Sequence, residues 1–173
     1  MKVNNIFIFS VLGYLLAIPS LQAETLPVIG WIEHVQIQAR NIILKAKIDT
    51  GADNSSIHAD NIQVYDKDGA TWVRFTLRNK ENHSADFDLP LVRYAKIKRK
   101  RAEPLLRPVV SMGLCIGNNM KKVDINLANR EHFKYRMLIG RSYLKDQYLV
   151  DSSKQHTIEP DCNTLAGLPL EPS

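Results

Sequence analysis

The sequence has few of the residues that build metal, redox or nucleotide sites. It contains two cysteines among 173 residues, and they do not stand in a Cys-x-x-Cys spacing. Its five histidines are scattered, and none belongs to a His-Glu-x-x-His motif. There is no glycine-rich phosphate-binding loop of the Gly-x-x-x-x-Gly-Lys type. The sequence therefore predicts neither a metal nor an organic cofactor.

The longest apolar run is too short to cross a membrane. It spans residues 6–18, whereas a transmembrane helix needs about 20 apolar residues. Lys2 precedes this run and a short segment ending at Ala23 follows it, which is the layout of a secretory signal peptide. The alternative is a buried or membrane-anchoring helix. We expect residues 1–23 to be a signal peptide and residues 24–173 to form a periplasmic or secreted domain, with no stable membrane insertion after cleavage.

The two cysteines, Cys115 and Cys162, leave two alternatives open. In an oxidising compartment an even number of cysteines favours one disulfide bond. The other alternative is two separate thiols, with Cys115 acting as a small apolar residue of the core.

Short segments rich in β-branched residues dominate the chain, and turn signals separate them at residues 66–69, 79–82 and 117–119. The segments are residues 28–38, 42–49, 61–66, 71–77, 87–94, 107–117 and 121–128. Their spacing predicts an all-β fold, either a barrel or a sandwich. It is less typical of a fold in which strands and helices alternate. One short helix is expected near residues 140–147.

Residues 93–107 form the most basic stretch, with seven Lys or Arg residues and one Glu. One interpretation is a solvated strand edge or loop, where lysines discourage edge-to-edge pairing. The other is a surface that attracts an anionic peptide or polymer. Aromatic residues do not interleave with the basic ones, so we do not expect a nucleic-acid partner.

An apolar segment ends at Asp49, Thr50 and Gly51. Asp-x-Gly is by itself common in turns. At the end of a buried strand, however, a carboxylate needs hydrogen bonds. Gly51 allows a backbone N–H to approach the carboxylate, and Thr50 offers a hydroxyl group. The triplet is therefore a candidate catalytic element as well as a candidate turn.

Two motifs in this order resemble the retropepsin-like aspartic proteases. They are Ile-Asp-Thr-Gly-Ala-Asp-Asn-Ser at residues 48–55 and Met-Leu-Ile-Gly-Arg-Ser-Tyr-Leu at residues 137–144. The bacterial subgroup that they resemble carries the label ATP-dependent zinc protease, and its relatives occur beside glutamate ligases. The resemblance implies a closed or partly open acid-protease-like β-barrel in which the second motif packs behind the first. Neither zinc nor ATP has a motif in this chain.

The resemblance also implies a mechanism in which two aspartates share one proton and activate a water molecule. Because the chain carries one Asp-Thr-Gly, it implies a homodimer with Asp49 supplied by each subunit. Thr50 would brace the two loops, and Gly51 would donate its amide to the carboxylate. Asp124 and Asp151 are alternative partners for Asp49 within the chain, although both are typical of ordinary strand ends and surfaces.

By the same resemblance, Ala52 and Asp53 would lie near the substrate backbone, and Asp53 would pair with Arg141. There is no glycine between residues 70 and 112, so a glycine-rich flap is not evident, although residues 79–84 could form a hairpin tip.

We expect an aspartic endopeptidase for peptides or peptide-like amides, with acidic peptides as candidate substrates. The alternatives are a non-catalytic peptide- or partner-binding module and a zinc-dependent hydrolase.

Overall fold

The computed structural model describes residues 25–40, 42–99 and 102–162, and most of these residues lie in β-strands. The predicted signal peptide, residues 1–23, lies outside the described residues. Within the described part of the chain, no helix is both long and apolar enough to cross a membrane.

Twelve strands and one short α-helix make up the described part of the fold. The strands are β1 Val28–Gly30, β2 Ile32–Ile37, β3 Ile42–Ile48, β4 Ser55–His58, β5 Asp60–Lys67, β6 Ala70–Arg78, β7 Ser84–Pro90, β8 Arg93–Arg99, β9 Ala102–Ile116, β10 Asn119–Ala128, β11 Met137–Ile139 and β12 Leu149–Asp151. The helix, α1, is Arg141–Leu144, and a 3₁₀ turn spans Gln38–Arg40.

The largest sheet curls into a ring. Its strand order is β10-β4-β11-β3-β2-β9-β8, and β9 also pairs with β10, so six strands close on themselves. The seam between β2 and β9 consists of two residue pairs, Gln36 with Cys115 and Ile37 with Leu114. The ring is therefore a partly open barrel, which confirms the predicted fold class.

The inside of the ring is the hydrophobic core. In β3 the sequence Ile-Ile-Leu-Lys-Ala-Lys-Ile alternates strictly between buried and exposed residues, as expected of a strand with one face on the core. Ile48, Ile57 and Ile139 meet there from β3, β4 and β11, and each is almost completely buried. Burying a side chain of this size contributes roughly 1.5–3 kcal/mol. Packing on the hydrophobic core therefore holds the strands that carry the candidate site in place.

A second, three-stranded sheet of β5, β6 and β7 packs on the same hydrophobic core as the barrel. Phe75 and Phe87 stack across β6 and β7 with ring centroids 5.3 Å apart, and both are buried in the core. The turn at residues 66–69 joins β5 to β6. Asp68 and Gly69 both have positive φ there, as a two-residue hairpin turn of type I′ requires.

The structure differs from the sequence-based segments at several points, and three of them have a local physical reason. Residues 28–38 are two strands, separated at Trp31, whose N–H donates to the Lys154 carbonyl. Residues 87–94 belong to two strands, because β7 ends at Pro90, which has no N–H to continue the ladder. The helix stops at Leu144 because the backbone of Lys145 leaves the helical range, with a ψ of 127°.

Cys115 and Cys162 form a disulfide bond, which settles the two alternatives left open by the sequence. The bond ties the end of the described chain to the buried C-terminal end of β9.

Candidate active site

Asp49 follows the last residue of β3 and is held by its own loop. Its N–H donates to the Ile139 carbonyl at 2.8 Å. The Gly51 N–H donates to Asp49 Oδ1 at 3.2 Å, as predicted, and Lys47 Nζ lies 3.4 Å from Asp49 Oδ2. The Asp49 side chain is 26% exposed. The carboxylate is therefore oriented by the protein and still open to solvent.

Strand β11 lies between the two strands that flank the Asp49 loop. It runs parallel to β3, with Leu138 opposite Lys47, and antiparallel to β4, with Leu138 opposite Ser56. The start of α1 then fastens the loop, because the Arg141 N–H donates to the Ala52 carbonyl at 2.9 Å. The two motifs that carry the family resemblance are thus in direct contact.

The Arg141 side chain clamps the loop from outside. Its Nη1 donates to the Thr50 carbonyl at 2.8 Å, and its Nη2 forms an ion pair with Asp53 Oδ1. This confirms the predicted Asp53–Arg141 pair. Ala52 is half-buried, and its N–H donates to the Asp49 carbonyl at 3.1 Å. The substrate contacts expected of Ala52 and Asp53 stay predictions.

Within the described residues, no second carboxylate bonds to Asp49. Asp124 Oδ2 lies 3.8 Å from Arg93 Nε. Asp151 accepts hydrogen bonds from both the N–H and the hydroxyl of Ser153. Both intrachain alternatives are therefore engaged elsewhere in the structure.

A row of side chains extends sideways from the Asp49 loop. Residues directly opposite each other in neighbouring strands share one face of a sheet, so the register places this row on a single face. We call it the site face, and its members are Lys47, Leu138, Ser56, Asn126, Val109 and Arg93. The opposite face of the same strands is the hydrophobic core.

The middle of the site face is polar although it is buried. Ser56 Oγ donates to Asn126 Oδ1 at 2.9 Å, and Asn126 Nδ2 donates to the Ser55 carbonyl at 2.7 Å. These residues were not recognised in the sequence. The available signal was a polar residue at a buried position of a strand, which needs a hydrogen-bond partner.

The basic stretch at residues 93–107 covers β8 and the beginning of β9, which pair as a long hairpin. A cleft of about 530 Å³ lies between this hairpin and the loop residues Asp53 and Asn54, with Arg93, Lys96 and Ile97 on the hairpin side. The turn within residues 79–84 joins the antiparallel strands β6 and β7, so this segment forms a hairpin tip, as predicted. The tip borders a separate cleft, which His34 and Lys45 also line.

Two arginines lie beside the site face. Arg107 Nη1 donates to Asn126 Oδ1 at 3.4 Å, and its buried Nε has no hydrogen-bond partner. Arg130, which is 8% exposed, donates from Nε and Nη2 to the Tyr135 carbonyl. Burial lowers the pKa of both guanidinium groups. For Arg130, the charge of Arg107 lowers the pKa further and the Asp49 carboxylate raises it in part.

The described residues contain no group of three His, Cys, Asp or Glu side chains that could hold a metal ion. The zinc-dependent alternative therefore has no candidate ligand set in this part of the chain.

Several known proteins are similar to this chain. It is 35% identical over 114 residues to a probable alpha-L-glutamate ligase of Shewanella pealeana, an alignment that covers 64% of this chain and 25% of that protein. A probable alpha-L-glutamate ligase of Desulfotalea psychrophila is 32% identical over 115 residues, with 65% and 25% covered. The chain thus spans about a quarter of the length of the curated relatives that it matches.

A solved structure and a family description cover more of the chain. The crystal structure of a Legionella pneumophila protein of unknown function superposes with a TM-score of 0.67 at 32% identity, and the match covers 76% of this chain and 97% of that one. Residues 28–161 match the RimB-like family, described as the retropepsin-like aspartic endopeptidase RimB. That range contains both motifs and all twelve strands. The chain therefore belongs to the RimB-like family of retropepsin-like aspartic endopeptidases.

Proposed function

We propose that the protein is an aspartic endopeptidase that works as a homodimer, with Asp49 of each copy forming one catalytic pair. The observation that carries this proposal is the state of Asp49. Its carboxylate is oriented by the Gly51 amide and open to solvent, and no other carboxylate of the described residues bonds to it. The family to which the chain belongs supports the same conclusion.

In such a pair the two carboxyl groups hold one proton between them, because two adjacent negative charges resist joint ionisation. The ionised Asp49 takes a proton from a water molecule, whose oxygen adds to the scissile carbonyl carbon. The protonated Asp49 of the other copy donates its proton to the carbonyl oxygen. The C–N bond then breaks, the amide nitrogen receives a proton from the pair, and no covalent intermediate forms.

An exposed apolar surface next to Thr50 is the candidate dimer contact. Leu26, Val28 and Leu149 are exposed at the two-stranded sheet of β1 and β12. Leu26 and Leu149 line a cleft that Thr50 also borders. A second copy placed here would cover the apolar side chains, extend the sheet edge and bring the two Asp49 loops together.

Leu149→Lys is expected to convert the dimer to a monomer and to remove peptide cleavage, because a charge would be buried at the centre of the contact. Analytical ultracentrifugation and a cleavage assay on the same preparation measure both effects. Val64→Lys is the matched control, since Val64 is 40% exposed on β5 while Leu149 is 56% exposed on β12. A Leu149→Lys protein that stays dimeric and active would contradict the proposed contact.

We further propose acidic peptides as substrates and the periplasm as the location. The basic hairpin of β8 and β9 beside the cleft supports acidic substrates, as do relatives named probable alpha-L-glutamate ligase. The predicted signal peptide and the Cys115–Cys162 disulfide support an oxidising compartment. A digest of matched acidic and neutral peptide libraries that shows no preference for acidic sequences would remove the substrate proposal.

The test of the proposed activity is cleavage of a peptide library between pH 3 and pH 8 by the mature protein and by Asp49→Ala. We expect cleavage by the former and none by the latter, with both proteins equally folded by circular dichroism. Cleavage that survives in Asp49→Ala but disappears with a chelator would favour zinc-dependent hydrolysis. Peptide binding without cleavage by either protein would favour the non-catalytic binding module.

A further inference from the structure

Two positive charges share a largely buried position beside the site face. Arg107 lies two residues before Val109 along β9, and Val109 is opposite Asn126. Arg130 follows the end of β10, and its backbone N–H donates to His58 Nδ1 at 2.8 Å. Arg107 contacts Asn126 of the site face, and His58, which Arg130 contacts, lies two residues beyond Ser56 of the same face on β4. Both arginines therefore lie beside the row of side chains that leads to the Asp49 loop, and the two guanidinium groups act on each other electrostatically.

Burying two positive charges at this position lowers the stability of the folded protein. Removing a charged group from water is unfavourable unless an opposite charge or a full set of hydrogen bonds replaces the water. No Asp or Glu of the described residues forms an ion pair with either Arg107 or Arg130. The neutral acceptors present are the Asn126 and Tyr135 oxygens, at 3.3 to 3.4 Å, and Arg107 Nε is buried without an acceptor.

The geometry also holds the arginines in place. The Arg130 guanidinium lies 4.6 Å from the centroid of the Phe133 ring, and Asn126, which accepts from Arg107, is itself anchored by Ser55 and Ser56. A positioned guanidinium with unused N–H groups matches the planar, two-oxygen geometry of a carboxylate. An anion from outside the chain would supply the acceptor oxygens that these guanidinium groups lack.

We propose that Arg107 and Arg130 form a carboxylate-binding subsite next to Asp49, which selects a substrate residue bearing a free carboxylate. The inference rests on the proposed peptidase function and adds the residues that would set its specificity. The carboxylate has two sources in a peptide, the side chain of an acidic residue and the free C-terminus. Both present the same chemistry to a guanidinium pair, so the experiment has to separate them.

Binding to Asp49→Asn protein tests the subsite without requiring cleavage. The probes are fluorescent hexapeptides in which a single Glu or its neutral counterpart Gln occupies each position in turn, each made with a C-terminal amide and with a free C-terminus. We expect one Glu position to bind about ten- to a hundredfold more tightly than Gln, the range for a charge-assisted hydrogen-bonded pair. Tighter binding that depends only on the free C-terminus would assign the subsite to that carboxylate.

Arg107→Gln in the same background is expected to remove the preference for the carboxylate and to leave the affinity for the neutral peptide unchanged. Arg107→Lys should retain part of the preference, because it keeps the charge but not the two-pronged geometry. Arg74→Gln is the matched control, since Arg74 lies on the exposed face of β6 and pairs with Asp88. The Arg74→Gln variant should prefer the carboxylate-bearing peptide as strongly as the Asp49→Asn protein does.

Thermal unfolding separates recognition from a structural role. Arg107→Gln should not lower the melting temperature, because it removes a charge whose Nε is buried and unpaired. Equal affinity for the charged and neutral peptides, including no measurable binding of either, would overturn the proposal, and so would a preference that persists in Arg107→Gln. Carboxylate binding that needs Arg107 in a protein that never cleaves would uphold the subsite while the peptidase function fails.

Discussion

Gly140→Ala is expected to abolish peptide cleavage and to lower the free energy of unfolding by about 1–3 kcal/mol, the usual cost of overpacking a tight site. A Cβ atom at this position would lie 2.7 Å from both the carbonyl carbon and the carbonyl oxygen of Asn54, and 3.0 Å from the Ala52 oxygen. All three are backbone atoms, which cannot rotate away as the end of a side chain can. Either the loop or β11 has to move.

That movement would act directly on Asp49. Gly140 stands between Ile139, whose carbonyl accepts from the Asp49 N–H, and Arg141, whose N–H donates to the Ala52 carbonyl. The Gly140 N–H itself donates to Ser55 Oγ at 3.1 Å. A shift of this segment would therefore misplace the carboxylate, and a displacement of about 1 Å from productive geometry can cost a hundredfold in rate.

Urea unfolding and a peptide cleavage assay measure the two effects of Gly140→Ala separately. Gly69→Ala is a suitable comparison, because no atom lies within 4 Å of its added Cβ although φ is +76°. That variant should lose stability through backbone strain, by about 1 kcal/mol, and keep full activity. Wild-type cleavage by Gly140→Ala would show that the close packing behind the loop does not position Asp49.

The parts of the site that lie close together in sequence were predictable. Asp49 and Gly51 are two residues apart, and the amide-to-carboxylate hydrogen bond follows from the short loop itself. Gly140 and Arg141 were recognised from the family resemblance, because their motif accompanies the first one. The Asp53–Arg141 ion pair followed from the same correspondence.

The residues that depend on strand register could not be predicted. Ser56 and Asn126 lie 70 residues apart and meet because β4 pairs in parallel with β10. A parallel pairing between such distant segments leaves no local pattern in the sequence. Strand β4 itself was missed, because its polar residues Ser55, Ser56 and His58 do not look like a strand, although all of them are buried.

The charge of the basic stretch was visible in the sequence, but its position was not. The composition of residues 93–107 fitted both a solvated strand and an anion-attracting surface. The structure places β8 at the edge of the large sheet and beside the cleft that Asp53 and Asn54 border. An edge strand can therefore be solvated and lie next to the site. Arg107, at the end of this stretch, is the member that turns towards the polar centre of the site face.

Replacing both cysteines, Cys115→Ala with Cys162→Ala, is expected to lower the free energy of unfolding by about 4 kcal/mol. The disulfide closes a loop with a sequence separation of 47, and restricting an unfolded chain over a loop of that length is worth about 4 kcal/mol on the chain-entropy relation. This is a large part of the roughly 5–15 kcal/mol that stabilises a typical domain. Urea unfolding followed by tryptophan fluorescence measures the difference.

The folded state also depends on the segment that the disulfide secures. Glu33 is fully buried and accepts hydrogen bonds from the N–H and the hydroxyl of Thr157. The His156 N–H donates to the Ile32 carbonyl, and the Asp161 N–H donates to the Gly117 carbonyl. If this segment detached, the Glu33 carboxylate would keep only its hydrogen bond from the Gly30 N–H. Loss of the disulfide should therefore expose Glu33 and loosen β1 before the barrel itself unfolds.

A reductant distinguishes the covalent effect from the effect of the substitutions. The wild-type midpoint in urea should fall on reduction to that of the double alanine variant, whose own midpoint should not respond to the reductant. Since β1 pairs with β12 next to the proposed dimer contact, hydrogen exchange at residues 28–30 should also accelerate in the reduced protein. A reduced protein with confirmed free thiols and an unchanged midpoint would show that the packing of Thr157 on Glu33 is sufficient, and that the disulfide adds nothing to the stability of the fold.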